Sequence, residues 1–433
     1  MIDRYSTPAM MNIWSRQAKY ECWKQVELAI CEAYSEAGLF PASELAEIQQ
    51  HASFTLERCD EIEEVTRHDL MAFVRCLSEN VNNATALDPK PGRWIHFGVT
   101  SYDVIDTALG IMLRDSCDVL ISSVGSLRQE LRTLFDRAGH HPCIGRTHGI
   151  HAEPVTFGHK VEGWYYELER AEARFQQCRQ EVAVGKVSGA VGIHAHVDRD
   201  LEARICTNLG LIAAKNSTQI VARDSHAHLL GACAVLAGSL ERIATELRNL
   251  QRTEILEVQE EFRAGQTGSS AMPHKRNPWQ SETVCGLARV IRANAGAMFE
   301  AIMTWHERDN SNSATERIVF PDTFTMLDFM IHRMVAQIRG LVVMPENMLR
   351  NLRQMGDLVF SEHVMVTLIQ KGLSREDAYK VAQRNAARSW DEAKDFRTCV
   401  AEDSDVTQRL TSEEVDHLFS LEAHLRNAPK SLA

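Results

Sequence analysis

Three stretches of the chain repeat one spacing. Leu113, Cys117, Leu120, Val124, Leu127, Leu131 and Leu134 follow one another at steps of 4, 3, 4, 3, 4 and 3. Phe157, Val161, Trp164, Leu168, Ala171, Phe175 and Cys178 do the same, as do Leu229, Cys233, Leu236, Leu240, Ile243, Leu247 and Leu250. A seven-residue repeat held this long predicts helices of roughly 33 Å, at about 1.5 Å per residue, each keeping one apolar stripe against a neighbour. Such helices pack side by side with a left-handed twist. Proline breaks helix interiors, and its placement agrees: Pro91 and Pro142 bracket one proline-free region, Pro154 and Pro273 a longer one. Either the stripes close into one bundle within the chain, or some of them face other subunits. The second reading is favoured, because helices this long present more apolar stripe than one chain easily covers.

The flanks differ from this middle part. Residues 1–100 hold shorter helical patterns and the polar break "DPKPGRW"; residues 346–433 again hold short ones, with Ser374 and Asp377 marking a helix start. Strand-like alternation is scarce throughout. The expectation is an all-α protein in three parts: 1–100, a central long-helix bundle at 101–345, and 346–433. A net charge of −12 argues against bulk nucleic-acid binding. No apolar run is read as long enough to span a bilayer. The start "MIDRYSTPAMMNIW" shows no basic-then-apolar leader. Eleven cysteines lie scattered without a CxxC, which suits free thiols in a reducing cytoplasm.

Chemistry in a helical scaffold collects where helices begin, end or break. Five breaks are rich in functional groups: "TRHD" (66–69), "HFGVTSYD" (96–103), "GRTHGIHAEP" (145–154), "NSTQIVARDSHAH" (216–228) and "GQTGSSAMPHKRNP" (265–278). None carries a P-loop, a GxGxxG after a strand, HExxH spacing or GxSxG. No metal site or cofactor is expected. His148 is either a loop histidine bonded to backbone or a proton donor. Arg67-His68-Asp69 is either a solvated helix face or a cationic pair oriented by a carboxylate. Thr100-Ser101 caps a helix whose start would also hold an anion. Asn277-Pro278 suits a helix start, which leaves His274, Lys275 and Arg276 unexplained. Ser269 is either loop flexibility or a base; as a base it needs N–H donors or a cation to acidify its hydroxyl.

At these residues the chain resembles the adenylosuccinate lyase branch of the fumarase/aspartase superfamily. The similarity runs in order through "MIDRYSTPAMMNIW", "TRHD", "HFGVTSYDVIDTA", "GRTHGIHAEP", "STQ", "GSSAMPHKRNP" and "WHERDNSNSATERI", nearly the whole chain. The resemblance implies a long-helix homotetramer in which three subunits build each active site. It implies β-elimination of fumarate from adenylosuccinate and from succinylaminoimidazole carboxamide ribotide, small nucleotide substrates of purine synthesis. By motif matching, His148 would be the general acid, Ser269 the base and Glu282 the residue that orients and polarises the acid. Lys275 and Asn277 would hold the succinyl carboxylates beside Thr100, Ser101, Gln219 and Ser270. Arg4, Tyr5, Arg67, His68, Asp69, Arg308, Ser313 and Arg317 would hold the nucleotide. The roles of Arg276 and of His274 stay open.

This chain departs from the pattern at Tyr102, where a small residue is expected. It departs again at Asn310 and Asn312, in place of an apolar residue and a histidine, and at Ala314-Thr315. Alternative readings are another lyase of the superfamily, such as an argininosuccinate lyase, and a non-catalytic scaffold that kept the fold.

Overall fold

The computed structural model describes residues 2–432. Helix makes up 68% of it, so the chain is all-α. In order, the helices are α1 (Pro8–Trp14), α2 (Arg16–Glu36), α3 (Ala42–His51), α4 (Leu56–Thr66), α5 (Asp69–Ala84) and α6 (Ser101–Ala138). A hairpin of β1 (Pro142–Thr147) and β2 (Ile150–Thr156) leads into α7 (Phe157–Val182). Then come β3 (Val184–Gly185), α8 (Arg199–Asn208), β4 (Ile212–Ala213), α9 (Asp224–Leu250), β5 (Val258–Gln259), α10 (Trp279–Glu300) and α11 (Ser311–Arg339). The chain continues with β6 (Val342–Val343), α12 (Pro345–Leu352), α13 (Ser361–Gln370), α14 (Arg375–Asp391) and shorter helical turns. Ser374 caps α14 by accepting the Asp377 N–H at 3.1 Å, as its sequence predicts.

The three repeat stripes fall on α6, α7 and α9. Every one of their residues is at most 2% exposed within the single chain. These stripes are therefore closed by the chain's own packing, and by themselves they call for no partner. Alpha-helix α9 is also apolar and long enough to cross a membrane by length and composition, contrary to the sequence expectation; but 56% of its most apolar window is buried inside the protein, as suits a core helix. Pro321 sits inside α11, which continues through it.

The chain divides into two compact units. Unit 1 comprises Met1–Ser126, Glu169–Glu241 and Val284–Arg333; unit 2 comprises Leu127–Leu168, Arg242–Thr283 and Met334–Ala433. In unit 1 the N-terminal helices pack around an aromatic knot, with Tyr20 stacked on Trp23 at 4.6 Å and Phe73 edge-on to both. Trp14 stacks on Phe324 at 5.4 Å and donates its indole N–H to Ser116. β3 and β4 pair in parallel. β3 crosses α6 at Gly110, where a Cβ would lie 2.1 Å from the Val184 carbonyl oxygen. In unit 2 a second apolar cluster joins Ile144 to Leu352, Phe360, Val364, Leu368, Val381 and Phe396.

Candidate active site

The "TRHD" break is the junction between α4 and α5, not a helix face. Arg67 ends α4 in the left-handed region, φ 55. His68 then caps α5, accepting the Met71 N–H on Nδ1 at 3.4 Å. A non-glycine residue held at positive φ costs about 1 kcal/mol or more, and such residues cluster at functional sites. Asp69 follows and pairs with Arg317 of α11 at 2.7 Å. Burial pushes the Asp69 carboxyl up; Arg317 and Lys19 outweigh that and leave it below the usual carboxylate range.

Within unit 1 these residues line a cavity of about 450 Å³. Its walls include Arg67, His68, Asp69, Ser101, Arg308, Ser313 and Arg317, with Tyr102, Asn310 and Ala314. The volume falls in the range of small-molecule sites, about 300–1,000 Å³. Gln219 reaches it through Arg308, whose Nη1 donates to Gln219 Oε1 at 2.9 Å. Thr100 adjoins it at the start of α6, where its N–H donates to Asp103 Oδ2 at 2.8 Å. Arg4 and Tyr5 are not among the lining residues; Tyr5 packs edge-on to Phe329 at 5.4 Å.

Two buried ion clusters brace this cavity, and both were outside the sequence expectation. Asp103 is fully buried, and its Oδ1 accepts from Lys186 Nζ at 2.5 Å and from the Ser188 and Gly189 N–H groups. Lys186 Nζ also donates to the Gln219 carbonyl at 3.0 Å, fixing that loop. Arg223 donates to both oxygens of Asp106 at 2.8 Å and, through Nε, to Glu316 at 2.7 Å. Burial alone would raise the Asp106 carboxyl, but Arg223 holds it down. Asn312 joins this cluster by donating to Glu316 at 2.9 Å.

In unit 2 the break at 145–154 is a β-hairpin, not an irregular loop. Thr147 pairs with Ile150, and His148 (φ 54) and Gly149 (φ 81) form the two-residue turn between them. Both central residues at positive φ match the turn twist that hairpins favour. His148 is thereby presented exposed at the tip. The hairpin is anchored below the tip by Arg146, which donates to Glu257 at 2.6 Å; Asn351 supports the same carboxylate at 2.9 Å.

The loop at 265–278 runs between β5 and α10 and is largely exposed. Ser269 Oγ accepts two backbone N–H groups, from Met272 at 3.1 Å and Ala271 at 3.4 Å. Positive ends of N–H dipoles aimed at a hydroxyl oxygen favour its ionised form. The Asn277 side chain donates across the loop to the Gly268 carbonyl at 3.0 Å. Arg276 stacks over Phe262 at 5.0 Å, and its carbonyl accepts from Gln251 at 3.1 Å, so this residue fastens the loop to its base. His274, Lys275 and Ser270 are exposed. Glu282 lies exposed in the first turn of α10. That helix start is held by a residue the sequence reading passed over: Glu260 accepts the N–H groups of Ser281 at 3.0 Å and Gln280 at 3.3 Å, and the Ser281 hydroxyl at 2.7 Å. Burial raises the Glu260 carboxyl despite these donors. Its only sequence signal is an acid five residues before the Gly-rich loop. Among the described residues no group of three or more His, Cys, Asp or Glu could hold a metal ion.

Known proteins resemble this chain in sequence and in fold. The profile of the lyase family matches residues 3–293, and that of the adenylosuccinate lyase C-terminus matches 357–432. The chain is 45% identical over 428 residues to the adenylosuccinate lyase of Synechocystis sp., covering 99% of this chain and 98% of that one. It is 44% identical to the adenylosuccinate lyase of Streptococcus mutans, covering 97% and 96%. Among solved structures, a fumarate lyase from Mesorhizobium sp. superposes with a TM-score of 0.87 at 24% identity, covering 98% of this chain and 96% of that one. A 3-carboxy-cis,cis-muconate lactonizing enzyme from Pseudomonas putida does so with 0.86 at 27% identity, covering 97% and 94%. One fold thus carries different reactions, and full-length sequence identity decides between them: the chain belongs to the adenylosuccinate lyase family.

Proposed function

We propose that the chain cleaves adenylosuccinate to AMP and fumarate, and cleaves succinylaminoimidazole carboxamide ribotide in the same way, within purine nucleotide synthesis. The observation that carries this reading is the Ser269 hydroxyl held by two backbone N–H donors, in a loop ending in Lys275 and Asn277. In the proposed step Ser269 takes the Cβ proton of the succinyl group. The freed electron pair forms the carbon–carbon double bond, and the carbon–nitrogen bond breaks. His148 gives a proton to the leaving nitrogen, with Glu282 orienting it. Removing the carbon-bound proton builds negative charge on the adjacent carboxylate, and Lys275, Asn277, Ser270, Thr100, Ser101 and Gln219 would stabilise it. Arg67, His68, Asp69, Arg308, Ser313 and Arg317 would hold phosphate and sugar, with Arg4 and Tyr5 completing that grip.

The reading includes a homotetramer whose active sites combine residues of several subunits. It is supported by apolar side chains left outward on unit 1, namely Val235 of α9 with Val290 and Phe299 of α10, beside Gly238 and Gly286, which have open space at Cβ. It places the protein in the cytoplasm, in keeping with eleven free cysteines. It keeps the three-part division, supported by the separate family match over 357–432.

The test is to follow purine absorbance when purified protein meets adenylosuccinate, with argininosuccinate as the rival substrate. Cleavage of argininosuccinate alone refutes the assignment, and inactivity on both favours the scaffold reading. Ser269→Ala is expected to lower kcat by orders of magnitude with binding retained; a raised KM with kcat intact would make Ser269 a binding residue instead.

A further inference from the structure

We propose that Tyr102 is a positioning residue that fixes the Arg308 guanidinium in the nucleotide cavity. The inference rests on the nucleotide reading given above. Tyr102 is the second residue of α6 and is only 4% exposed. The Arg308 guanidinium lies over its ring at 3.6 Å from the centroid, an attractive geometry for a cation on an aromatic face. Ser313, in the wall of the same cavity, accepts from Arg317 Nε on its Oγ at 3.4 Å. Tyr102 thus carries Arg308 on its face, and both line the cavity with Ser313 and Arg317.

Arg308 is held on its edges too. Nη1 donates to Gln219 Oε1 at 2.9 Å and Nη2 to Asn310 Oδ1 at 2.8 Å, while the buried Nε has no acceptor. The guanidinium is therefore held on its face and on two of its five N–H donors, which leaves Nε–H and one hydrogen on each Nη for a ligand. Tyr102 and Asn310 are both positions where this chain departs from the expected pattern, and both touch the same arginine. Together they replace the rotamer freedom of a long side chain with a fixed plane, which lowers the ordering cost of binding. Arg308 holds its ligand with a preset guanidinium, and Tyr102 is what sets it.

The test compares Tyr102→Leu, which keeps bulk but loses face and hydroxyl, with Tyr102→Phe, which keeps the face. Steady-state cleavage of adenylosuccinate and calorimetric titration with AMP are measured on each full-length variant. For Tyr102→Leu, KM and the AMP Kd are expected to rise about tenfold with kcat little changed, from the usual strength of a partly buried cation–π contact. Tyr102→Phe is expected to stay within about threefold of the wild type. Tyr102→Leu with unchanged KM and Kd, or with a loss confined to kcat, overturns the proposal. Should Tyr102→Leu fail to fold, Arg308→Lys keeps the charge and loses the stacked plane; an unchanged AMP Kd there overturns it equally. Wild-type protein that neither cleaves adenylosuccinate nor binds AMP refutes the nucleotide reading itself. Wild-type protein that does both, beside an unaltered Tyr102→Leu, refutes only the role of Tyr102.

Discussion

The tightest point in the loop at 265–278, proposed above to be catalytic, is Gly268, next to Ser269. A Cβ added there would lie 2.1 Å from the Lys275 carbonyl oxygen and 3.0 Å from Phe262 Cε2. A carbon and a carbonyl oxygen normally stay about 3.3 Å apart even in close contact. Gly268→Ala therefore forces the two strands of the loop apart by about 1 Å. The backbone there is not left-handed, so the strain comes from this contact alone. Opening the loop moves Ser269 relative to the Met272 and Ala271 N–H groups and pulls Gly268 away from Asn277. A displacement of about 1 Å in reacting groups costs about 10²-fold in rate, or roughly 2.7 kcal/mol of barrier. Stability should hardly change, since an exposed loop loses little core packing; about 0.5 kcal/mol or less is expected. The assay pairs kcat for adenylosuccinate cleavage with a thermal melt of the same preparation. A normal kcat refutes the reasoning, because it would mean the 268–275 contact is not what places Ser269. A melting point lowered by many degrees refutes it differently, by making Gly268 a residue of the fold.

Two further outcomes follow from buried charge. Arg223→Met leaves Asp106 and Glu316 buried without their cation, and should cost about 3–5 kcal/mol in urea unfolding; replacing all three residues by apolar ones of similar size should restore most of that loss, and a single variant of wild-type stability would show the cluster to be solvated. Glu153 of β2 has its carboxyl raised to about 7, by burial first and then by Glu362 of α13. The folded state thus holds a proton that the unfolded state releases near pH 4.5, so this contribution is complete below that pH and lost as pH rises through about 7. Glu153→Gln should melt higher than the wild type at pH 8 and alike at pH 4, and equal melting at both would exclude the effect.

How much of this was legible in the chain depends on whether periodicity carries the information. Heptad spacing located α6, α7 and α9, since a stripe needs only local side-chain placement. The same register extended backward along α6 reaches Asp106 seven residues before Leu113, and Gly110 and Asp103 before Cys117. Polar residues on a core stripe signal buried partners, and Gly110 there signals a close backbone approach, which β3 supplies. The identity of those partners was not legible: Lys186 and Arg223 lie far along the chain, and spacing within one helix says nothing about what crosses it. The hairpin at 142–156 escaped because a bulge between Ile144 and Arg146 breaks the alternation a strand would show. At the site, His148, Ser269 and Lys275 could be singled out by residue type, whereas the donors to Ser269 are backbone groups that every residue owns. The heptad stripes leave nothing for another subunit to cover, because the repeat positions are closed within the chain. Outward apolar residues such as Val235, Val290 and Phe299 lie off those stripes. A heptad reports where a helix is buried first; what remains for another subunit has to be read from the faces the heptad does not mark.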